Sequence, residues 1–172
     1  ASLPSSFTWI TTDNTNTTGE STTLQTGNTL NNTITNNVAT PQTLTYTVTP
    51  RASAGSCPGN PFQVVITVDP KPTINDRVDT VCTGTPFTYQ PANNTNGVVP
   101  SNTTYSWNAP VVTGGMTGGQ SGSVQSLITG TLNNPTDSVQ TAIYTVIPIT
   151  PSGCLGNSFK ITVRVNPGPR LI

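Results

Sequence analysis

The side chains that could carry out acid–base or nucleophilic catalysis are scarce in this chain. Its 172 residues include no His, and carboxylates are few. They are Asp13, Glu20, Asp69, Asp76, Asp79 and Asp137. Either kind of catalysis needs a tuned base held beside a reactive group, and no residue pattern here supplies that pair. The sequence therefore predicts a protein that is not an enzyme and that uses no cofactor.

Metal-binding and phosphate-binding patterns are equally weak. Asp69, Asp76 and Asp79 could line a calcium site, but Ca²⁺ takes about six to eight oxygens and the Asp-x-Asp-x-Asp-Gly loop is absent. Three Cys without a His do not form a zinc ligand set. The glycine-rich segment 114–119 lacks the Lys-Ser/Thr of a phosphate loop, so it is predicted to be a flexible connection. We expect no metal site and expect the carboxylates to be solvated loop charges.

The polar surface of the protein must be built from hydroxyls and amides. The chain holds 35 Thr and 18 Asn, only 7% of its residues are charged, and its net charge is zero. Six Lys and Arg cannot supply the basic patch that nucleic-acid binding needs. No apolar run reaches the roughly 18 residues of a membrane span. Runs of β-branched residues separated by Gly, Pro and Asn are typical of strands and tight turns. The composition predicts an all-β protein that neither binds nucleic acid nor inserts into a membrane.

An internal repeat organises the chain, with four landmarks recurring in one order at an offset of 98 or 97 residues. They are Phe7-Thr8-Trp9 with Tyr105-Ser106-Trp107, Gln42 and Tyr46 with Gln140 and Tyr144, Cys57-x-Gly59-Asn60-x-Phe62 with Cys154-x-Gly156-Asn157-x-Phe159, and Asp69-Pro70-Lys71-Pro72 with Asn166-Pro167-Gly168-Pro169. This pattern predicts a copy over residues 1–72 that lacks its opening strands and a complete copy over 73–169. Residues 170–172 would start a third copy, and we expect the whole to be an excerpt of a longer polypeptide.

The aromatic residues are predicted to form the core of each copy. Eight of the ten aromatics are matched between the copies, and the last strand of each alternates apolar with polar residues, which indicates one buried sheet face. A copy of about 97 residues with about seven short strands fits an antiparallel Ig-like β-sandwich. The predicted core aromatics are Trp9, Trp107, Tyr46, Tyr144, Phe62 and Phe159.

The cysteines suggest a disulfide. Cys82 lies in the opening strand region of the complete copy and Cys154 in the hairpin before its last strand. A bridge between them would close a loop of roughly 70 residues, worth roughly 4 kcal/mol by chain entropy. Two free buried cysteines remain the alternative. Cys57 is the repeat-mate of Cys154, so its partner is expected outside this chain. Paired cysteines would place the protein outside the reducing cytoplasm.

Taken together, these motifs resemble a known family. Tyr-Thr-Val-x-Pro, the Cys-x-Gly-Asn-x-Phe hairpins, the Asx-Pro-x-Pro junctions and the segment 81–87 are similar to the PKD-like repeats of giant Bacteroidetes surface adhesins, nearest those of the SprB gliding-motility type. The resemblance implies export by the type IX secretion system, display at the cell surface, and a role in adhesion or gliding. The Asn108-Ala109-Pro110 run departs from the Asp-Phe-Gly-Asp-Gly loop of the polycystic-kidney-disease domain proper.

The same resemblance implies glycosylation and sets the expected partners. Bacteroidetes attach O-glycans at Asp-Ser/Thr followed by a small or aliphatic residue, which predicts candidate sites at Thr80 and Ser138; chance tripeptides are the alternative. Expected partners are neighbouring repeats of the same chain, with surface polysaccharide or other adhesin components as further candidates.

Three other functions stay open at the level of sequence. A carbohydrate-binding or spacer module of a secreted multidomain hydrolase is the main alternative to an adhesin repeat. Ice binding through Thr45, Thr47 and Thr49 is disfavoured, because their repeat-mates are Ile143, Thr145 and Ile147. Finally, a copy without its first strand exposes an edge that could accept a strand from a neighbouring chain.

Overall fold

In the computed structural model, residues 5–53, 55 and 57–169 are described. The chain divides into two compact units, residues 1–70 (unit 1) and 71–172 (unit 2), and the predicted start of a third copy at 170–172 lies outside the described residues. Every regular element in the described ranges is a β-strand. These ranges contain no helix with the length and apolarity to cross a membrane.

Unit 1 is built around one four-stranded antiparallel sheet. Its described strands are β1 (Ser5–Thr11), β2 (Thr17–Thr18), β3 (Gln25–Gly27), β4 (Thr35–Asn36), β5 (Gln42–Ala52) and β6 (Phe62–Val68). The sheet has the order β3-β1-β5-β6, and β2 pairs separately with β4. Alternation of buried Leu44, Tyr46 and Val48 with exposed Thr along β5 gives this central strand one core face.

Unit 2 is a two-layered sandwich. Its strands in the described residues are β7 (Thr73–Ile74), β8 (Arg77–Cys82), β9 (Pro86–Tyr89), β10 (Gly97–Val98), β11 (Thr104–Trp107), β12 (Val111–Val112), β13 (Thr117–Gly118), β14 (Gly122–Gln125), β15 (Ile128–Asn133), β16 (Gln140–Ile149) and β17 (Phe159–Asn166). The larger sheet has the order β14-β11-β16-β17-β8 with β12 beside β16, the facing sheet has the order β13-β15-β9, and β7 pairs separately with β10. This arrangement confirms the predicted all-β, Ig-like sandwich.

The two units share one strand register. Phe7 and Trp9 of β1 lie opposite Pro50 and Val48, and their repeat-mates Tyr105 and Trp107 lie opposite Pro148 and Val146. Likewise β5 pairs with β6 as β16 pairs with β17. A slip of one residue would turn every core side chain outward, so the common register explains why the same positions carry the same aromatics.

The core of unit 2 contains all six of its aromatic residues, but the core of unit 1 is smaller. Trp9 and Tyr46 are buried with Leu44 and Val48, as Trp107, Tyr144 and Phe159 are in unit 2. The prediction for Phe62 is wrong, because its side chain is 47% exposed whereas that of Phe159 is 2% exposed. In unit 2, Tyr89 of β9 packs edge-on against Phe159 at 6.5 Å between ring centroids, and the described part of unit 1 has no counterpart of β9.

Candidate functional site

The described residues contain no group of three or more His, Cys, Asp or Glu side chains that could hold a metal ion. In unit 2, Asp76 Oδ1 accepts a hydrogen bond from the backbone N–H of Lys160 at 2.7 Å, and Asp79 faces Arg77 at 3.4 Å. Asp76 therefore holds the start of β8 against the start of β17, whereas the contact of Asp79 with Arg77 lies within β8. An exposed pair such as Arg77–Asp79 contributes at most about 1 kcal/mol.

Glu20 has a comparable structural role in unit 1. Burial raises the pKa of Glu20, but hydrogen bonds from its own backbone, from Thr17 and from Asn14 outweigh that effect and leave the pKa below its ordinary value. The Thr17 hydroxyl donates to Glu20 Oε1 at 2.7 Å. The carboxylate thus stays ionised and ties the loop after β1 together.

The predicted Cys82–Cys154 disulfide is wrong in this fold. All three cysteines are free thiols, with Cys57 and Cys82 exposed and Cys154 half-buried. Strand β8 runs parallel to β17, so Cys82 lies opposite Asn166 at the C-terminal end of β17, whereas Cys154 lies in the hairpin before Phe159. The length of β17 separates the two ends by about 20 Å, and a disulfide needs Cα atoms within about 7 Å. Sequence position placed Cys82 near the start of the unit but did not reveal the direction in which its strand pairs.

Both candidate glycosylation residues have accessible side chains. Thr80 is exposed in β8, and its backbone N–H donates to Asp79 Oδ1 at 2.9 Å. Ser138 is exposed in the loop before β16, where its hydroxyl accepts a hydrogen bond from Gln140 Nε2 at 3.0 Å. Exposure leaves room for a glycan at each position, and the modification itself stays a prediction.

The tryptophans and tyrosines differ in how their polar atoms are satisfied. Trp107 Nε1 donates to the Gln120 carbonyl at 3.0 Å, and Trp9 Nε1 donates to Ser21 Oγ at 3.3 Å. The Tyr46 and Tyr144 hydroxyls, by contrast, are buried without a hydrogen-bond partner among the described residues. Burial raises the pKa of Tyr144 to about 12. These rings therefore serve packing, and Phe87 meets Tyr144 edge-on at 5.3 Å between centroids.

A pair of buried asparagines was missed by the sequence analysis. Asn134 Nδ2 donates to the carbonyls of Ser138 at 2.8 Å and Val165 at 2.9 Å, and its Oδ1 accepts from the Thr136 N–H at 2.9 Å. Asn36 makes the same three bonds in unit 1, to Thr40, Val68 and Val38. Each asparagine is 7% exposed and fastens a loop to the last strand of its unit. The two asparagines are 98 residues apart, which is the repeat offset and could have identified them as matched positions. With 18 Asn in the chain, this match did not stand out.

The outer face of the unit 2 sheet carries a shallow groove of about 650 Å³. Ile143 and Ile147 form its floor at 37% and 46% exposure, with Asn108, Ser121 and Ser123 at its rim. Trp107 also lines the groove but is only 7% exposed, and the other five aromatics of unit 2 are buried as well, so the groove offers little ring surface on which a sugar could stack. In unit 1 the matching positions of β5 are Thr45 and Thr49, so the apolar floor is not repeated.

Comparison with known families gives one clear match. The sequence model of a family described as PKD-like domain matches residues 1–72 and 79–169. No curated protein matches the chain significantly. The two matched stretches cover both units and most of the chain.

Proposed function

The chain belongs to the PKD-like domain family, and on that basis we propose that it is a structural repeat of a large secreted cell-surface adhesin, without catalytic activity. In this function the modules are spacers that hold an adhesive region away from the cell, in surface attachment or gliding. Export through the type IX secretion system and display outside the cell belong to the same proposal. The partners are neighbouring repeats of the same chain and, at the surface, polysaccharide or other adhesin components.

One observation carries the proposal: the buried side chains and their hydrogen bonds recur between the two units, whereas outward-facing side chains on the central strand change. The tryptophans, the buried tyrosines and the Asn36/Asn134 bonds recur in the same register. Two outward positions of β5, Thr45 and Thr49, are Ile143 and Ile147 in β16, while Thr47 is matched by Thr145. Selection for a scaffold preserves core and loop anchors and tolerates surface change, whereas a binding site shared by the repeats would preserve the surface.

The mass and location of the native parent polypeptide test this function. An adhesin repeat requires a parent of several hundred kilodaltons (an expectation for an extended array of modules of about 100 residues each) that labels at the surface of intact cells. A parent of ordinary size that carries a hydrolase domain would overturn the proposal and make these modules accessory domains of a secreted enzyme. Exposure of cells to a protease that cannot enter them provides the matched control for location.

A further inference from the structure

The groove on the outer face of the unit 2 sheet has an aliphatic floor. Ile143 and Ile147 of β16 lie on this floor, and Val111 of β12, which is opposite Ile143 and 75% exposed, extends it. The Cα atoms of the two isoleucines are about 13 Å apart, since they lie four residues apart in one strand. Exposed aliphatic side chains gathered in one concave surface mark an interaction site, whereas single exposed ones do not.

Two cations on the neighbouring strand β17 flank this floor. Lys160 lies level with the point midway between Ile143 and Ile147, and Arg164 is four residues further along β17, past Ile143. Both side chains are exposed, and among the described residues neither makes an ion pair or a side-chain hydrogen bond. The Asp76 carboxylate binds the backbone N–H of Lys160 and makes no ion pair with its ammonium group. The groove therefore presents two positive charges beside its aliphatic floor.

The fold does not require these four side chains. Unit 1 has the same strand register, and its residues at the matching positions of β5 and β6 are polar and uncharged. They are Thr45 and Thr49 for the two isoleucines, and Gln63 and Thr67 for the two cations. The combination of an aliphatic floor with two cations is thus a property of unit 2 and not of the common scaffold.

One wall of the groove contains a strained residue in β14. Val124 has a φ of +53°, in the left-handed region that a β-branched residue rarely adopts. It belongs to a β-bulge, in which Ser123 and Val124 lie opposite the single residue Ser106, whose Oγ accepts a hydrogen bond from the Val124 N–H at 3.0 Å. In unit 1 the corresponding strands pair without a bulge, and Thr26 alone lies opposite Thr8. Strain of this kind and bulges that re-aim side chains both concentrate at functional sites, and the two serines of this bulge line the groove.

The strand beneath the groove has its backbone paired on both sides. Strand β16 pairs with β17 on one side and with β11 and β12 on the other. A peptide in the groove lies on the face of the sheet and therefore gains no main-chain pairing from β16. An α-helix satisfies its own backbone groups. Its diameter of about 10–12 Å fits the roughly 14 Å that three strand spacings place between β17 and β14.

We propose that this groove binds an acidic amphipathic helix of a partner protein. Aliphatic residues two helical turns apart, a distance of about 11 Å, pack on Ile143 and Ile147. Asp or Glu residues beside them pair with Lys160 and Arg164. The described part of this chain has only strands as regular elements, so the helix comes from outside it. The inference does not depend on the adhesin function.

Titration of a synthetic peptide into the whole chain tests the site. The probe is a helical peptide of about 15 residues, about 22 Å long, with Leu along one face, Glu on one side of that face, and Ala and Gln elsewhere. Amide chemical shifts of the isotope-labelled 172-residue protein are followed by NMR. We expect shift changes in β16, in β17 and in the groove wall at 121–124, none in β5 and β6, and an affinity that falls as salt is raised. The matched control is the same peptide with Lys in place of Glu, which is expected to bind at least about tenfold more weakly.

Exchanging the groove residues for those of unit 1 gives matched variants of the protein. One variant combines Ile143→Thr with Ile147→Thr, and the other combines Lys160→Gln with Arg164→Thr. All four side chains are exposed and unit 1 accommodates the new residues in the same register, so the fold should be kept, which the rest of the amide spectrum verifies. Each variant is expected to weaken binding of the Glu peptide at least about tenfold. Val139→Thr, at an exposed valine outside the groove, is the control and should leave the affinity unchanged.

Several results would overturn the proposal. One is the absence of shift changes at about 1 mM peptide, a concentration at which even weak binding is visible. Shift changes of equal size in unit 1, or an unchanged affinity in either variant, would show that the groove is not the site. Equally tight binding of a peptide with two Pro in its middle would show that the occupant is not a helix. If an oligomer of galacturonic acid gave the groove shifts and the Glu peptide did not, the ligand would be an acidic polysaccharide instead.

Discussion

Replacing the buried amide of Asn134 should weaken unit 2 far more than replacing any exposed Asn. In Asn134→Ala, the Val165 carbonyl, on a fully buried residue, loses its side-chain donor, and the Thr136 N–H loses its acceptor. The Ser138 carbonyl keeps a hydrogen bond from the Thr136 hydroxyl at 3.0 Å. A buried polar group left unsatisfied costs about 1–3 kcal/mol, so we expect a loss of about 2–4 kcal/mol in the free energy of unfolding.

The isosteric change Asn134→Asp separates hydrogen bonding from packing. It keeps the shape and the acceptor for Thr136 but places a carboxylate oxygen against two carbonyl oxygens. The loss at pH 7 should therefore equal or exceed that of the Ala variant. Burial should raise the pKa of the new carboxyl above its unfolded value. The destabilisation should then shrink as the pH falls through that raised pKa, because the protonated acid can donate to a carbonyl.

The assay is urea unfolding followed by tryptophan fluorescence, in a Trp9→Phe background so that Trp107 reports on unit 2 alone. The control is Asn133→Ala, since Asn133 is the exposed neighbour of Asn134 and its loss should change stability by less than about 0.5 kcal/mol. A cost for Asn134→Ala no greater than that of the control would refute the reasoning. So would an Asp variant whose relative stability does not change with pH.

Three further outcomes follow from the core and the thiols. Tyr144→Phe should raise the stability of unit 2 by about 1 kcal/mol in the same urea assay, because it removes a buried hydroxyl without a hydrogen-bond partner; a destabilised variant would contradict this. Burial raises the pKa of Tyr105 and of Tyr144 to about 12. The free energy of unfolding should therefore be unaffected by these groups below pH 10 and should fall as the pH rises from 10 through 12. Phenolate absorbance and thermal unfolding, recorded together, would measure this. A flat unfolding temperature over that range would show that the phenols ionise without leaving the core. Non-reducing peptide mapping of the chain should find no Cys82–Cys154 pair, because the two thiols lie at opposite ends of β17, and such a pair in folded protein would refute the parallel pairing of β8.

The sequence predicted the repeat and most of the core because both depend on local periodicity. Alternation along β5, β6, β16 and β17 determines which side chains face inward, and matched aromatics at a constant offset determine which strands correspond. The direction in which β8 pairs could not be predicted in this way. The apolar–polar alternation of a strand is the same whether its neighbour is parallel or antiparallel. That missing direction is why the cysteine pairing was wrong.

Burial and side-chain bonding needed information beyond each strand's own pattern. Phe62 and Phe159 occupy equivalent positions in equivalent strands, yet their exposure differs because it depends on strands elsewhere in the unit. Residue type does not distinguish Asn36 and Asn134 from the other asparagines of the chain. Only the folded backbone turns their side chains toward the last strand of each unit.

The parallel pairing of β8 with β17 has a mechanical consequence. Tension applied through the two ends of unit 2 pulls the N-terminal end of β8 and the C-terminal end of β17 in opposite directions along the strand axis. The six residue pairs between the two strands are then loaded in shear and resist unfolding by force. Sliding of one strand along the other requires their hydrogen bonds to break together and not one after another. Resistance to forced unfolding is set by the rate of such a step and not by equilibrium stability.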